Sequence, residues 1–433
     1  MHRSLAYIAG PRHNNQVSSR VRLASADNAD AEIVHLLEGT DTVIRLVDPS
    51  HHPPEIDESQ IPADFTGVLV ATSGSTGSPK TVMLSRRAMI AAAEATHARL
   101  GGPGAWANPL PTWYVAGLMT RVRAIVAGMP HHDVSAHLED LPRPGTRAYL
   151  SLVPAQLHRC LSDHDILARL TAYEAVLIGG MALDAGLRHR AEQAGVRIVT
   201  TYGMSETCGG VVYDDVPLDP VSVQILGLPT DAPMTPDVDP NTLDLPDPAA
   251  TPRPPILTEA PQPTRPASSP PAQAPAPPTP TVGGRIVLTT PTLFDGYVGN
   301  PTATAQVRHN GSFLTSDRGR FDNGRLTVLG RVDEVVQSGG VNVDLAHIQR
   351  LLDRLFPHAV ACFATPDPVW GSTVLVASTG PSLESIRHEL APLVGSPACP
   401  RGIVRVDALP LTSSGKIDRA ALTRRWTDNG DRA

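Results

Sequence analysis

A strand–helix–strand rhythm whose strands end in glycine constrains this chain more than any other feature. Residues 173–180 (YEAVLIGG) and 196–203 (VRIVTTYG) are apolar runs of strand length, and the stretch between them (MALDAGLRHRAEQAG) has the length and spacing of a crossover helix. A helix between two apolar strands brings them side by side and parallel, so a parallel-rich sheet covered by helices is expected. Residues 67–73 (GVLVATS) form another such strand, followed by a helical run (RRAMIAAAEATHARL) that Ser85 is placed to cap. Ligand loops then belong at the carboxyl ends of the strands, where the glycines fall. At 433 residues the chain exceeds one ordinary core, and its 41% apolar content can fill two.

The composition changes abruptly at Pro229. From there to Pro280, 18 of 52 residues are proline, none is aromatic, and only Arg253 and Arg265 are basic. Such a segment cannot bury enough apolar surface to offset its ordering entropy, so a disordered or polyproline-like insertion is expected. It separates VSVQIL from GRIVLTT, two runs that read as hairpin partners, and a surface turn can absorb a long insertion because closure entropy grows only logarithmically. Docking of an SH3-like partner is the functional alternative, but the segment lacks a basic PxxP flank. Further on, Asn323-Gly324 in GRFDNGRLTVLGR signals a tight hairpin, Asp344 is placed to cap an amphipathic helix, and the last hundred or so residues read as a small α+β unit. The net charge of −7 offers no basic field for nucleic acid. Cys160, Cys208, Cys362 and Cys399 form no CxxC pair, there is no apolar run of membrane-span length, and the N-terminus lacks a signal-peptide core. A soluble cytoplasmic protein with free thiols is the expectation.

The chemistry starts at Thr72–Lys80 (TSGSTGSPK). Hydroxyls of Thr72, Ser73, Ser75 and Thr76, with Gly74 and Gly77 between them, can close over a polyphosphate while Lys80 adds a point charge. A Walker loop needs glycine before its lysine; here Pro79 precedes Lys80, with a fixed φ and no N–H to donate. Taken alone, a Ser/Thr/Gly cluster is usually a turn.

TSGSTGSPK resembles the signature loop of the adenylate-forming superfamily of acyl-CoA synthetases, luciferases and peptide-synthetase adenylation domains. The superfamily's other motifs follow in order: LIGGMAL, TYGMSET, SFLTSDRGR, GRVDEVVQSGG and PLTSSGKIDR. The resemblance implies a large N-terminal ATP- and acid-binding domain (1–330), a hinge (331–333) and a small mobile C-terminal α+β domain (334–433). It implies that Gly179 and Gly180 lie against the adenine, that Tyr202 flanks it, that Thr201, Gly203, Met204 and Ser205 belong to the same ATP-binding site, and that Glu206 holds Mg²⁺. By the same resemblance Asp317 accepts from the ribose hydroxyls, although Ser316 stands where the family usually has glycine, and Arg331 lies near ribose and phosphate. Asp333 is the implied hinge pivot, Gly339 and Gly340 line the coenzyme A path, and Lys416 is the implied catalytic lysine. The implied cofactors and co-substrates are ATP, Mg²⁺ and coenzyme A, and because the family often dimerises, a homodimeric partner is the matching expectation.

Within the superfamily, the short stretch before the loop together with LPTWYVAGL, SLVPAQL and TYGMSETCGGVVYDDVPLD resembles the actinobacterial o-succinylbenzoate–CoA ligases of menaquinone biosynthesis. Trp113 departs from the histidine those enzymes carry in this stretch. Trp113, Tyr114 and Gln156 are the implied pocket residues, and Arg121 and Arg123 are available, but unplaced, for the second carboxylate of such an acid. Another aryl- or acyl-CoA ligase is the main alternative, since pocket residues set acid choice. A non-catalytic adenylate-binding relative is a further alternative, against which the retained Glu206, Asp317 and Lys416 argue.

Overall fold

A computed structural model describes residues 20–48, 55–72, 80–227, 283–338, 341–367, 369–394, 398–412 and 416–428. Of the sequence expectations, those on Ser73–Gly77, on the proline-rich stretch 229–280 and on Gly339-Gly340 lie outside the described residues.

The alternation read from the sequence builds the central sheet. Strands Ala175–Ile178 and Ile198–Met204 lie side by side and parallel, joined by the helix Ala185–Gln193. Asp184 caps that helix by accepting the Leu187 N–H at 2.9 Å. Ala105–Asn108, His131–Asp133 and Ala148–Leu152 extend the parallel run, and Gly209–Tyr213 turns back antiparallel, in a sheet of seven strands among the described residues. A second sheet pairs Val21–Ala24, Val43–Leu46 and Gly67–Thr72 in parallel, then continues antiparallel through Lys80–Ser85 and Gly296–Tyr297. Helices Arg86–Arg99 and Val115–Ala127 supply Met89, Leu118, Met119 and Val122 to the core against the second sheet. Ser85 sits at the first of these helix starts with extended backbone but makes no side-chain cap bond. Its expected capping is therefore backbone placement only.

The third sheet is antiparallel throughout. Ser222–Leu226 pairs with Gly284–Thr289, and Leu226 faces Arg285 where the described chain leaves at Gly227 and returns at Gly283. The two runs flanking the proline-rich stretch are thus hairpin partners, as expected. Ser312–Asp322 and Arg325–Arg331 close around Asn323-Gly324, both in the left-handed region (φ 51° and 75°), the conformation a two-residue hairpin turn requires. A single 3₁₀ turn, Val332–Glu334, separates this sheet from a fourth one built on Val335–Ser338, Val341–Asp344, Val360–Asp367, Gly371–Ser378 and Gly402–Arg405. Helix Leu345–Leu355 packs on this sheet, with Ile348 and Leu352 buried, and Asp344 caps it through the His347 N–H at 3.0 Å. All four cysteines are free and buried.

Candidate active site

The strands that flank residues 73–79 pair with each other antiparallel. Thr72 ends one strand and Lys80 begins its antiparallel neighbour, the two residues facing each other in register, with the Thr72 hydroxyl donating to the Lys80 carbonyl at 3.1 Å. A Walker loop leads from a strand into a helix; this one leads from strand to strand, so topology excludes that reading independently of Pro79.

From the Lys80 strand the site extends to Glu206 through one side chain. Tyr297 lies on the short strand that pairs with Lys80–Ser85, opposite Val82. Its hydroxyl donates to Glu206 Oε1 at 2.9 Å, and Lys80 Nζ sits 4.9 Å from its ring centroid. Burial, then the Glu206 carboxylate, pushes the Tyr297 phenol well above its ordinary range, so it stays protonated as a donor. Glu206 stands in the 3₁₀ turn Ser205–Thr207, and its carbonyl accepts the Phe294 N–H at 2.8 Å. Just before it, Gly203 is in extended backbone so close to the next strand that a Cβ would lie 1.9 Å from the Gly209 carbonyl oxygen. No side chain fits there. Met204 accepts and donates locally with Thr207, and Gly179 and Gly180 follow the Ala175–Ile178 strand, whose last carbonyl accepts from Thr201 Oγ1 at 3.3 Å.

A second cluster joins the central sheet to the start of the fourth. The Tyr202 hydroxyl donates to Asp317 Oδ2 at 2.7 Å, and Arg331, opposite Asp317 on the neighbouring strand, approaches Asp317 Oδ1 at 3.4 Å. Arg331 grips Asp333 with both ends of its guanidinium, at 2.7 Å each. Burial opposes its charge, but Asp333 and then Asp317 more than offset this and hold its pKa up. Burial followed by Asp317 likewise raises Tyr202. Beyond the turn, Glu334 pairs with Arg419 at 2.6 Å, and Arg318 pairs with Asp344, linking the third sheet to the helix cap of the fourth. Lys416 is exposed, and its carbonyl accepts the Thr412 N–H at 2.7 Å. Of the 36 basic residues in the chain, only Lys80 and Lys416 are lysines.

The implied acid pocket divides. Trp113 packs against the core of the second sheet and lies 6.2 Å from the Tyr114 ring. Gln156 is buried, with its amide spent on the Val153 N–H at 3.1 Å and the Ala136 carbonyl at 3.4 Å, where it secures a helix start. Arg121 is neutralised by Asp30 and Asp133 and donates to Thr112 Oγ1 at 3.1 Å. Arg123, two residues on, is 4% exposed and forms no ion pair with any described residue. Its Nε has no partner, its Nη2 is 3.5 Å from the Tyr213 hydroxyl, and its guanidinium lies 5.0 Å from the Trp106 ring centroid. A Cβ on Gly209 would be only 3.7 Å from Arg123 Nη2.

The residues missed from sequence are Tyr297 and the distinction between the two arginines. In a chain only 4% aromatic, the isolated GY of DGYVGNP was a usable signal. The arginines could be told apart only by where Asp30 and Asp133 fold.

For Mg²⁺ the donor chemistry fits. Glu206 offers a hard oxygen ligand with one oxygen anchored by Tyr297, and no other described residue hydrogen-bonds its carboxylate. The described residues contain no cluster of three His, Cys, Asp or Glu, so phosphate oxygens and water would complete the shell.

The family model of the AMP-binding enzymes matches residues 9–249, and that of the AMP-binding enzyme C-terminal domain matches 358–416. A probable 2-succinylbenzoate–CoA ligase from Mycobacterium tuberculosis is 35% identical over 85% of this chain and 86% of its own length. A feruloyl-CoA synthase from an Amycolatopsis species is 26% identical over 93% of this chain and 80% of its own. The structure of an o-succinylbenzoate coenzyme A synthetase from Bacillus subtilis with AMP superposes with a TM-score of 0.62 at 20% identity, covering 91% of this chain and 80% of that one.

Proposed function

The chain belongs to the AMP-binding, adenylate-forming enzyme family, and from that footing we propose that it activates 2-succinylbenzoate with ATP and transfers the acyl group to coenzyme A. The observation that carries the choice of acid is Arg123. A buried guanidinium without a carboxylate is costly unless an anion arrives with the substrate. An aromatic acid with a second carboxylate, seated against Gly209, brings that anion; a fatty acid or a simple benzoate does not. The 35% identity to a probable 2-succinylbenzoate–CoA ligase supports the same choice. With that acid, the enzyme would serve menaquinone biosynthesis.

In the first half-reaction the succinyl carboxylate oxygen attacks the α-phosphorus of ATP, and the bond to pyrophosphate breaks. No general base is needed, because the nucleophile is already an anion; the obstacle is repulsion between two anions. Thr72, the loop 73–77 and Lys80 grip the β- and γ-phosphates, and Lys416 reaches the carboxylate and α-phosphate. Glu206 would hold Mg²⁺, which would neutralise phosphate charge when bound. Tyr202, with the backbone at Gly179, Gly180 and 203–205, flanks the adenine. Asp317, already gathering Tyr202 and Arg331, has lone pairs left for the ribose hydroxyls.

In the second half-reaction the thiol of coenzyme A attacks the adenylate carbonyl, the bond to AMP breaks, and the thiol proton is released. Rotation about 331–333 removes Lys416 and brings residues 339–340 towards the thiol. The domain division 1–330 and 334–433 follows from this reading, with Asp333 changing backbone conformation as its ion pair with Arg331 is remade.

Two measurements test the proposal. Pyrophosphate release should require 2-succinylbenzoate and fall sharply when its aryl carboxylate is blocked as the methyl ester; equal rates with acid and ester would refute the role of Arg123. Lys416→Ala should slow adenylation by about 100-fold or more while leaving the melting temperature unchanged. Undiminished pyrophosphate release in that variant would remove Lys416 from the mechanism.

A further inference from the structure

Glu206 follows a strand of the central sheet, Lys80 begins a strand of the second, and one residue touches both. Tyr297 is 7% exposed, its ring packs 4.9 Å from Phe294, and its N–H donates to Thr304 Oγ1 at 2.9 Å. It is anchored to the Lys80–Ser85 strand by register with Val82, while the Phe294 N–H three residues earlier holds the Glu206 carbonyl. Backbone and side chain therefore approach Glu206 from the same short segment. With the hydroxyl on Oε1, the carboxylate is confined to a narrow set of orientations and its other oxygen is left to meet a ligand. The ring face meanwhile seats the Lys80 ammonium by a cation–π contact.

We propose that Tyr297 is a positioning residue that orients Glu206 towards the nucleotide's Mg²⁺ and holds Lys80 in register with it. The inference rests on the reading of Glu206 as the metal-binding carboxylate, and it assigns a job to a side chain outside the signature motifs. The Tyr297→Phe variant removes the hydroxyl and keeps the ring, so packing and the Lys80 contact are retained while Glu206 loses its tether. Outer-shell partners of metal ligands typically contribute tenfold or more to metal affinity.

The test is calorimetric titration of the full chain with α,β-methylene ATP, in excess Mg²⁺ and in EDTA, so that no turnover is needed. The factor by which Mg²⁺ tightens binding should fall roughly tenfold in Tyr297→Phe, with the EDTA affinity within about twofold of the parent. Glu206→Gln should lose that factor to at least the same extent, and the double variant should lose no more than Glu206→Gln alone. Lys80→Met should weaken binding with and without Mg²⁺ alike. Loss of the Mg²⁺ factor in Glu206→Gln but not in Tyr297→Phe overturns the role of Tyr297 and leaves that of Glu206 standing. An unchanged factor in Glu206→Gln overturns the metal-ligand reading itself. An equal loss in both conditions for Tyr297→Phe reduces the residue to a structural one.

Discussion

Arg121 and Arg123 stand two positions apart on one helix, are both buried, and have opposite surroundings. Arg121 reaches Asp30, from the first described helix, and Asp133, at the end of a parallel strand. Its charge is fully answered within the fold. Arg123 points the other way, over Trp106 and towards Gly209 and Tyr213, and forms no ion pair with a described carboxylate, although the charge of Asp295 reaches the same buried Cys208. The first arginine ties three elements together; the second is a buried charge without an ion pair, packed beside Gly209. A fold can pack an ion pair for stability alone, but an isolated buried cation makes sense when its partner is a ligand.

The contrast breaks most directly at Arg123. Arg123→Met should cut kcat/KM for 2-succinylbenzoate by about 100-fold or more, because a site built around a charge rejects what can no longer answer it. The same variant should be as stable as the parent or slightly more so in urea titration. Arg121→Met should do the reverse, costing about 2 kcal/mol of stability in urea titration with little change in kcat/KM per folded molecule. The figure is kept low because Asp30 and Asp133 are half-exposed and can be rehydrated. If Arg121→Met abolished activity while Arg123→Met did not, the assignment of the two would be inverted.

A smaller effect sharpens the Arg121 side. His131 is lowered to about 4, first by burial and then by Arg121, with Asp133 and Asp30 working in the opposite direction. Between pH 6.5 and 4 the unfolded chain binds a proton on this histidine that the folded chain refuses. Stability from this group is therefore complete above pH 6.5 and falls as the pH drops towards 4, by on the order of 3 kcal/mol. Removing Arg121 relieves one of the forces lowering His131, so the slope of stability against pH over that window should be shallower in Arg121→Met. An identical slope would show that burial alone sets the shift. The smallest effect is expected far from both arginines. Replacing residues 230–280 by a short turn should leave turnover within about twofold, since Leu226 and Arg285 already face each other across the two strands.

Much of the fold could be read from residue pattern because it is local. The glycine-ended apolar strands announced the parallel sheet, Asn323-Gly324 announced its hairpin, and Asp344 announced its helix. The composition also carries a contrast: a chain that otherwise uses arginine places its two lysines, Lys80 and Lys416, in the first and last of the motifs. Lysine is the compact, movable charge of the pair, suited to a group that must enter and leave a site. What could not be read depended on long-range packing. Ser85 has the sequence of a cap but makes no side-chain bond, and Gln156 turns its amide to its own helix start. Arg121 and Arg123 differ only in which distant acids the fold delivers, and Tyr297 gains its meaning from Glu206, 91 residues away.

The central claim is tested most directly by the acid itself. Rates of ATP- and coenzyme A-dependent thioester formation should be compared for 2-succinylbenzoate, benzoate, ferulate and a medium-chain fatty acid under one set of conditions. The account predicts that kcat/KM for 2-succinylbenzoate exceeds the others by about 100-fold or more, and that the margin collapses in Arg123→Met. Faster turnover of ferulate, benzoate or the fatty acid would contradict it.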